Sequence, residues 1–351
     1  MDLPVRPPLE PMLGRLARQL PRDGYIYEPK WDGLRCLAFR AGSEVDLRSR
    51  NRRPLARYFP ELVEALAALA EGRLVLDGEI VLLSARGSDF AGLMKRLHPA
   101  QSRVERLRRE SPVRLVAFDI LARGRDDLTA RPFAERRRLL TELLTDAPPA
   151  LALTATTDDP DVALGWLERF QGGGIDGVMA KRRDAPYEAG RRAMVKVKRE
   201  RTADCIVAGL RAFPGEPVVA SLLLGLYDEG GGLQHIGVAS SFAEEQRGAL
   251  FHELGPLAVP LAGHPWEHGF LVEGGPMGRL PGAAGRWTPE LELDWTPLAP
   301  QRVCEVAYDQ LDDQRLRHPA RFRRWRPDRD ARSCRLDQLD LPRAQPRRLL
   351  A

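Results

Sequence analysis

The sequence predicts an α+β fold in two parts: a larger mixed domain over residues 1–201 and a smaller all-β barrel over residues 202–330, with a tail over 331–351. Three observations predict it. A chain of 351 residues holds about two domains at ~150 residues each. Up to residue 201, short apolar strands alternate with helical stretches. Beyond it, short strands follow one another with a single helix and a long Gly/Pro-rich stretch at 255–300.

In order along the chain, residues 1–24 are Pro-rich and read as an irregular lead-in. Residues 34–40 and 44–50 read as two strands around Ala41-Gly42-Ser43, a hairpin signal. A short Ala/Leu helix is expected at 61–70, and a bent strand or strand pair at 73–83. Residues 89–110 look helical and end in a basic stretch, and the apolar run 113–121 predicts a buried strand. Helices are expected at 132–144, with Pro in the first turn, and at 161–171; strands are expected at 177–181 and 194–198. In the second part, strands at 205–210, 218–227, 233–238 and 302–308 accompany one helix at 243–254. That pattern suits a small Greek-key barrel such as the OB-fold.

Composition narrows the function. With 43% hydrophobic residues the chain can build ordinary cores; with 29% charged residues and no apolar run near ~20 residues, no membrane span is expected. The opening MDLPVRPPLEPML lacks the basic-then-apolar layout of a secretory signal, so a cytoplasmic protein is expected. A net charge of +5 and a pI near 9.2 fit a polyanionic partner, since Lys and Arg on phosphates release counterions. The four cysteines, Cys36, Cys205, Cys304 and Cys334, form no C-x-x-C pair, which speaks for reduced thiols rather than a zinc ribbon or disulfide framework.

Chemistry concentrates at Glu28-Pro29-Lys30-Trp31-Asp32-Gly33-Leu34-Arg35. A lysine amine attacks phosphorus only when neutral, so it needs desolvation or nearby cations to lower its pKa. Lys30 lies between Pro29 and Trp31, with Arg35 close in sequence, and Gly33 lets the chain turn. A bare K-x-D-G tetrapeptide is common by chance and would be a surface lysine before a turn. What carries weight is the ordered series that follows: Ser49-Arg50-Asn51, Asp77-Gly78-Glu79, Ala117-Phe118-Asp119, Asp176-Gly177-Val178-Met179-Ala180-Lys181, Val195-Lys196-Val197-Lys198 and Arg326-Pro327-Asp328-Arg329.

This series resembles the motifs of the covalent nucleotidyltransferases: DNA ligases, RNA ligases and mRNA capping enzymes. The wording of YEPKWDGLR, SRNRRPLARYFPEL, DGEIV, DGVMAKR and MVKVKR is similar to bacterial ATP-dependent DNA ligases, of the stand-alone ligase C type akin to the ligase module of ligase D. The likeness spans about residues 5–335. It implies a two-sheet, ATP-grasp-like adenylation (nucleotidyltransferase) domain followed by an OB-fold domain. The implied substrates are ATP and nicked duplex DNA, and the implied metal is Mg²⁺ or Mn²⁺. Ku or a primase-polymerase are repair partners by analogy only, and a nucleoid-associated monomer is expected.

The resemblance also assigns roles. Lys30 would take AMP from ATP. Glu28 would lie by the adenine edge, and Phe118 would stack on the ring. Arg35 and Arg50 would hold the nucleotide sugar and the nick 5′-phosphate, a task for bidentate guanidinium groups. Glu79 would accept from the ribose hydroxyl and, with Asp176, hold metal; many relatives carry Glu at the Asp176 position. Lys181, Lys196 and Lys198 would neutralise the α-phosphate, with Lys196 and Lys198 on one face of a strand. Arg326 and Arg329 would come from the barrel to orient pyrophosphate; many relatives end that motif in Lys. Glu200–Ala203 is the expected hinge.

Other signals are weaker. Gly172-Gly173-Gly174-Ile175-Asp176-Gly177 matches G-x-G-x-x-G, but a helix precedes it and a strand follows, the reverse of a dinucleotide fingerprint. No G-x-x-x-x-G-K-[ST] occurs. Pro265 between His264 and His268 argues against a metal-binding helix. Arg106, Arg108 and Arg109 form either a solvated face or a DNA-backbone contact. The rival functions are an RNA ligase, a GTP-dependent capping enzyme, or a nucleic-acid-binding scaffold without turnover.

Overall fold

The computed structural model describes residues 1–84, 87–97, 100–170, 174–198, 200–270, 295–312, 314–339 and 346–350. Its contacts divide the chain into two units, Met1–Arg199 with Leu341–Ala351, and Glu200–Asp340.

The first unit holds two principal sheets. One has four strands in the order Gly14–Ala17, Met194–Val197, Ile175–Arg182, Tyr25–Trp31. The other runs Leu151–Leu153, Arg114–Arg123, Arg73–Val81, Leu34–Ala41, Glu44–Ser49, with Asp126–Asp127 beside Arg114–Arg123. Arg73–Val81 shows how the layers separate. Leu74 and Leu76 join Phe59, Leu62 and Leu66 on one face, while Val75 between them joins Leu37, Phe39 and Leu121 on the other. That is the period-two alternation of a strand covered on both sides. A third core places Tyr27, Trp31, Val178 and Val195 against Ala163, Trp166 and Leu167 of the helix Pro160–Arg169. Each large side chain removed from water there contributes roughly 1.5–3 kcal/mol.

Two expectations change here. The lead-in is not irregular throughout: Leu3, Val5 and Met12 are buried, and Gly14–Ala17 pairs in parallel with Met194–Val197. Its prolines hide an apolar anchor and an edge strand in a stretch without periodicity. The helix expected over 89–110 is two helices, Phe90–Lys95 and Gln101–Glu110, with Pro99 in the sequence between them. A proline disfavours helix at the residue before it. Asp89 caps the first helix by accepting from the Gly92 N–H at 2.7 Å.

In the second unit five antiparallel strands run in the order Leu233–Ala239, Val219–Tyr227, Arg201–Ala212, Thr296–Tyr308, Arg321–Trp325. Ala320 N–H donates to Val238 O at 2.8 Å and Ser240 N–H to Ala320 O at 3.3 Å, so the two edges meet and the Greek-key barrel closes. The strand Arg321–Trp325 was not expected from its RFRRW sequence. A register irregularity at Glu305/Val306 lets Phe322 and Trp325, three apart, both pack on the core. That breaks the alternation by which a strand is recognised.

Of the Gly/Pro-rich stretch, residues 271–294 lie outside the described residues, as do Gly172 and Gly173 of the Gly-rich loop. The expected tail from 331 is divided between the units. Cys334 and Leu339 belong to the barrel core. Leu349 is buried in the first unit, where Ala155 N–H donates to Leu349 O at 2.8 Å. All four cysteines are free and buried.

Candidate active site

Along the strand Tyr25–Trp31 alternate residues Glu28 and Lys30 share one face. They open on a cavity of about 450 Å³ in the first unit, within the usual range for a small-molecule site. Arg35, Arg50, Glu79, Phe118, Lys181 and Lys196 also line it, together with Trp31, Met179 and Arg192. The turn after Lys30 requires glycine for lack of space: a Cβ on Gly33 would lie 2.1 Å from Ile80 O. Gly177 is similarly confined, its Cβ position lying 2.5 Å from Val197 O.

One end of the cavity is dominated by lysines. Lys30 Nζ donates to Asp176 Oδ1 at 2.7 Å, and Lys198 Nζ meets Asp176 Oδ2 at 2.9 Å. Burial pushes the Lys30 ammonium pKa down, but Asp176, Glu79 and Asp32 outweigh it and the net shift is upward. The expectation that the surroundings depress Lys30 is therefore corrected: before substrate arrives, this lysine is a cation. Asp176 is held below the usual carboxylate range, burial being outweighed by Lys30 and Lys198. Lys196 is depressed, first by burial and then by Lys30 and Lys198, and makes no ion pair among the described residues. Burial pushes the Glu79 carboxyl up to about 7 despite Lys30 and Arg35. Glu79 has no hydrogen-bond partner among the described residues.

The other end is dry and already paired. Glu28 is only 2% exposed. Its Oε2 lies 2.9 Å from Lys181 Nζ, whereas Oε1 has no hydrogen-bond partner. Arg137 Nη1, 3.8 Å from that oxygen, is also buried without one, while Arg137 Nη2 donates to Thr154 O. Burial raises the Glu28 pKa, and Lys181 and Arg137 counter it. Lys181 Nζ donates to Phe118 O at 3.0 Å and lies 4.7 Å from the Phe118 ring centroid. Lys181, expected at the α-phosphate, is here paired with Glu28 and the Phe118 carbonyl.

Arg35 also departs from expectation. Its Nε and Nη2 donate to the two oxygens of Asp77, both at 2.6 Å, and Nη2 reaches Met12 O at 3.2 Å. Tyr187 Oη donates to Asp77 Oδ2 at 2.6 Å and accepts from Met12 N–H at 2.9 Å. The guanidinium lies 4.6 Å from the Phe118 centroid. Most of its donors are therefore committed within the protein, and only Nη1 lacks a partner among the described residues. Arg50 is exposed at the cavity mouth, beside the tight turn in which Arg52 N–H donates to Ser49 O at 2.8 Å.

The chemistry of the donor set bears on a metal. Among the described residues no three His, Cys, Asp or Glu side chains form a metal cluster. The nearest acids to Lys30, Glu79 and Asp176, are two carboxylates, and Mg²⁺ takes one or two carboxylates plus phosphate oxygens and waters. Glu79 offers unpaired oxygens. Both Asp176 oxygens already meet a lysine, one from Lys30 and one from Lys198.

Arg326 and Arg329 belong to the second unit. Arg326 Nη1 donates to Asp204 Oδ1 at 2.9 Å and Oδ2 at 3.0 Å, and its Nη2 to Asp328 at 2.8 Å. Arg329 Nε lies 3.4 Å from Asp204 Oδ2.

Sequence reasoning missed Asp77 as the Arg35 partner, although it lay inside a motif already singled out. It also missed Arg137 and Thr154, for which no local pattern exists. Trp31 Nε1 donates to Thr154 Oγ1 at 2.9 Å, tying the residue after Lys30 to a segment 123 positions away. Asp119 anchors the helix Phe133–Leu144 through a buried pair, Arg136 Nε to Asp119 Oδ1 at 2.8 Å.

A two-sheet α+β unit around a lysine-bearing cavity, followed by a five-stranded Greek-key barrel, defines the class of the covalent nucleotidyltransferases. Residues 11–198 match the family described as ATP dependent DNA ligase domain, and residues 215–329 the ATP dependent DNA ligase C terminal region. The chain is 49% identical to DNA ligase C2 of Mycolicibacterium smegmatis over 97% of each chain. It is 46% identical to DNA ligase C of Mycobacterium tuberculosis over 97% of this chain and 96% of that one. A solved structure described as "DNA binding with a minimal scaffold: Structure-function analysis of Lig E DNA ligases" shares the fold, with a TM-score of 0.54 at 19% identity over 90% of this chain and 99% of that one. The chain belongs to the ATP-dependent DNA ligases. No helix among the described residues is long and apolar enough to cross a membrane.

Proposed function

We propose that this ligase seals 3′-hydroxyl/5′-phosphate nicks in duplex DNA by carrying AMP on Lys30. The observation that supports it best is the placing of Lys30 at a cavity also lined by Lys196, with Lys198 on the same Asp176 carboxylate as Lys30 and a buried acceptor, Glu28 Oε1, at the far end. The neutral Lys30 amine attacks the α-phosphorus of ATP, forming a P–N bond as pyrophosphate leaves with the electron pair of the broken P–O bond. The AMP then passes to the nick 5′-phosphate, giving a 5′-5′ anhydride. The 3′-hydroxyl attacks that phosphate and AMP departs. Positioning and charge neutralisation do most of the work in such transfers.

Each residue has a part. Lys196 and Lys198 neutralise charge building on the α-phosphate. Phe118, fixed between Arg35 and Lys181, offers the face on which adenine stacks. Glu28 Oε1 accepts from the adenine amino group; guanine presents a carbonyl oxygen there, and two acceptors repel. Arg50 at the mouth meets the 5′-phosphate, and Arg326 and Arg329 orient pyrophosphate. Glu79 and Asp176 would hold Mg²⁺ or Mn²⁺, which supplies Lewis-acid neutralisation of phosphate oxygens. We place the enzyme in the cytoplasm at the nucleoid as a monomer, in DNA repair, with Ku or a primase-polymerase as partners by analogy alone.

The test is to incubate purified, adenylate-free protein with α-labelled ATP or GTP and a divalent metal, then add nicked DNA. The expected result is label from ATP only, absent in Lys30→Ala and chased onto the nick. Label from GTP would move the reading to capping chemistry, and label surviving in Lys30→Ala would remove Lys30 from its role.

A further inference from the structure

Asp204 stands three residues into the strand Arg201–Ala212, and the proposed chemistry gives it no task. Its surroundings are unusually complete. The backbone is held by one side chain: Asp204 N–H donates to Gln338 Oε1 at 3.1 Å, and Gln338 Nε2 donates to Asp204 O at 3.3 Å. The carboxylate, 13% exposed, receives both arginines of Arg326-Pro327-Asp328-Arg329. Arg326 Nη1 spans its two oxygens, and Arg329 Nε approaches Oδ2 at 3.4 Å. Asp328 takes the other side of Arg326, with Nε to Oδ1 at 3.0 Å.

The two arginines are not equivalent in this arrangement. Arg326 is 20% exposed, and its fork is occupied by two carboxylates. Arg329 is 38% exposed and approaches Asp204 through Nε, the nitrogen nearest its stem, while its side chain also meets Cys334. A guanidinium gripped at Nε can direct its terminal nitrogens outward, the geometry needed to meet an anion with a bidentate fork. Asp204 pairs with both arginines, and Gln338 fixes the backbone from which it projects.

We infer that Asp204 is a positioning residue for the leaving-group end of the adenylation step. It aims Arg329 at the pyrophosphate of ATP and uses Arg326 as the brace between itself and Asp328. The inference rests on the proposed role of Arg326 and Arg329. It adds the carboxylate that sets their geometry, and it recasts Arg326 as a holder rather than a direct ligand. Because Asp204 acts through the arginines on pyrophosphate, its loss should fall on the first chemical step alone. Sealing of a nick that already carries AMP involves no pyrophosphate.

The experiment separates those steps in the full-length protein. Single-turnover transfer of AMP from ATP is measured for the parent, Asp204→Asn, Asp204→Glu, Arg326→Ala and Arg329→Ala. The same proteins are freed of AMP and given DNA whose nick has been adenylated chemically. Asp204→Asn keeps shape and removes charge. It should slow AMP transfer ~10–100-fold, as loss of an outer partner of a functional group does, while sealing of the adenylated nick stays within about twofold of the parent. Asp204→Glu should recover part of the transfer rate, and Arg329→Ala should show the same split as Asp204→Asn. Parental AMP transfer by Asp204→Asn, with Arg329→Ala impaired, would overturn the inference and leave the arginine assignment standing. Equal loss of both reactions in Asp204→Asn and Asp204→Glu would overturn it in favour of a purely structural role. Parental AMP transfer by both arginine variants would overturn the arginine assignment itself, and Asp204's role with it.

Discussion

The two ends of the Lys30 cavity differ in how their charges are settled. At the Phe118 end the cations are held by fixed partners: Lys181 lies against Glu28 and Phe118, Arg35 is clamped by Asp77, and Arg137 donates to Thr154 O. At the Lys30 end the balance is incomplete. Lys30 and Lys198 share one carboxylate, Lys196 makes no ion pair among the described residues, and the half-buried Glu79 has no hydrogen-bond partner among them. The contrast teaches that recognition and reaction are built differently here. The first end is preorganised for one base and has little to rearrange. The second gathers lysines around Asp176 and Glu79, where a triphosphate and metal would add charge of both signs.

The largest expected effect, after loss of Lys30 itself, is at the reacting end. Lys196→Met should slow AMP transfer by ~10²–10³, the scale seen when one charge-stabilising donor is removed from a transition state. Binding of ATP should change far less, and a rate within twofold of the parent would break the comparison at its most sensitive point. Glu28→Gln tests the other end. It supplies an amide that can donate to a guanine carbonyl, so the preference for ATP over GTP should fall by ~10–100-fold in kcat/KM, as expected when a buried hydrogen-bond pairing of 1–3 kcal/mol is lost. Unchanged preference would mean that base choice is made elsewhere.

The Lys30–Asp176 pair also sets a pH dependence. Lys30 is held above its ordinary value, so below that value the neutral, reactive fraction grows about tenfold per pH unit. Single-turnover AMP transfer in the parent should keep climbing through pH 9. In Asp176→Asn the curve should flatten at lower pH, because the group that raises Lys30 is gone. A parental plateau below pH 8 would show that bound substrate resets the lysine.

Much of this contrast was legible in the sequence, though unevenly. Lys30, Glu79, Phe118 and Lys196 were placed together by ordered motifs, and the cavity lining includes all four. Asp204 and Arg137 were invisible, because their importance lies in what they touch rather than in a local pattern. Arg35 and Lys181 were visible, but their partners were not: a sequence shows that a cation is near a site, not that an acid such as Asp77 or Glu28 is paired with it. In the fold, apolar runs such as 113–121 gave strands reliably. The strand Arg321–Trp325 escaped because its inward residues are three apart.

A further effect concerns stability rather than rate. Glu79 has a folded pKa near 7 against an ordinary 4.5, so the folded protein holds that proton more tightly than the unfolded chain. Stability is therefore lost as pH rises from about 4.5 through 7, by up to ~3 kcal/mol. In metal-free buffer Glu79→Gln should raise the melting temperature above pH 7 and leave it unchanged near pH 4. The same variant should transfer AMP more slowly, a sign that the unpaired carboxylate is kept for function. No gain at high pH would mean that Glu79 is already compensated.

The central claim is that Lys30, and no other lysine, carries the nucleotide. The most direct measurement is peptide mass spectrometry of the parent protein after brief exposure to ATP and a divalent metal, with digestion at neutral pH or above to preserve the P–N bond. The account predicts AMP on the peptide containing Lys30, with Lys181, Lys196 and Lys198 unmodified, and loss of the modification when nicked DNA is added. AMP on any of those other lysines, or AMP on Lys30 that nicked DNA does not remove, would contradict it.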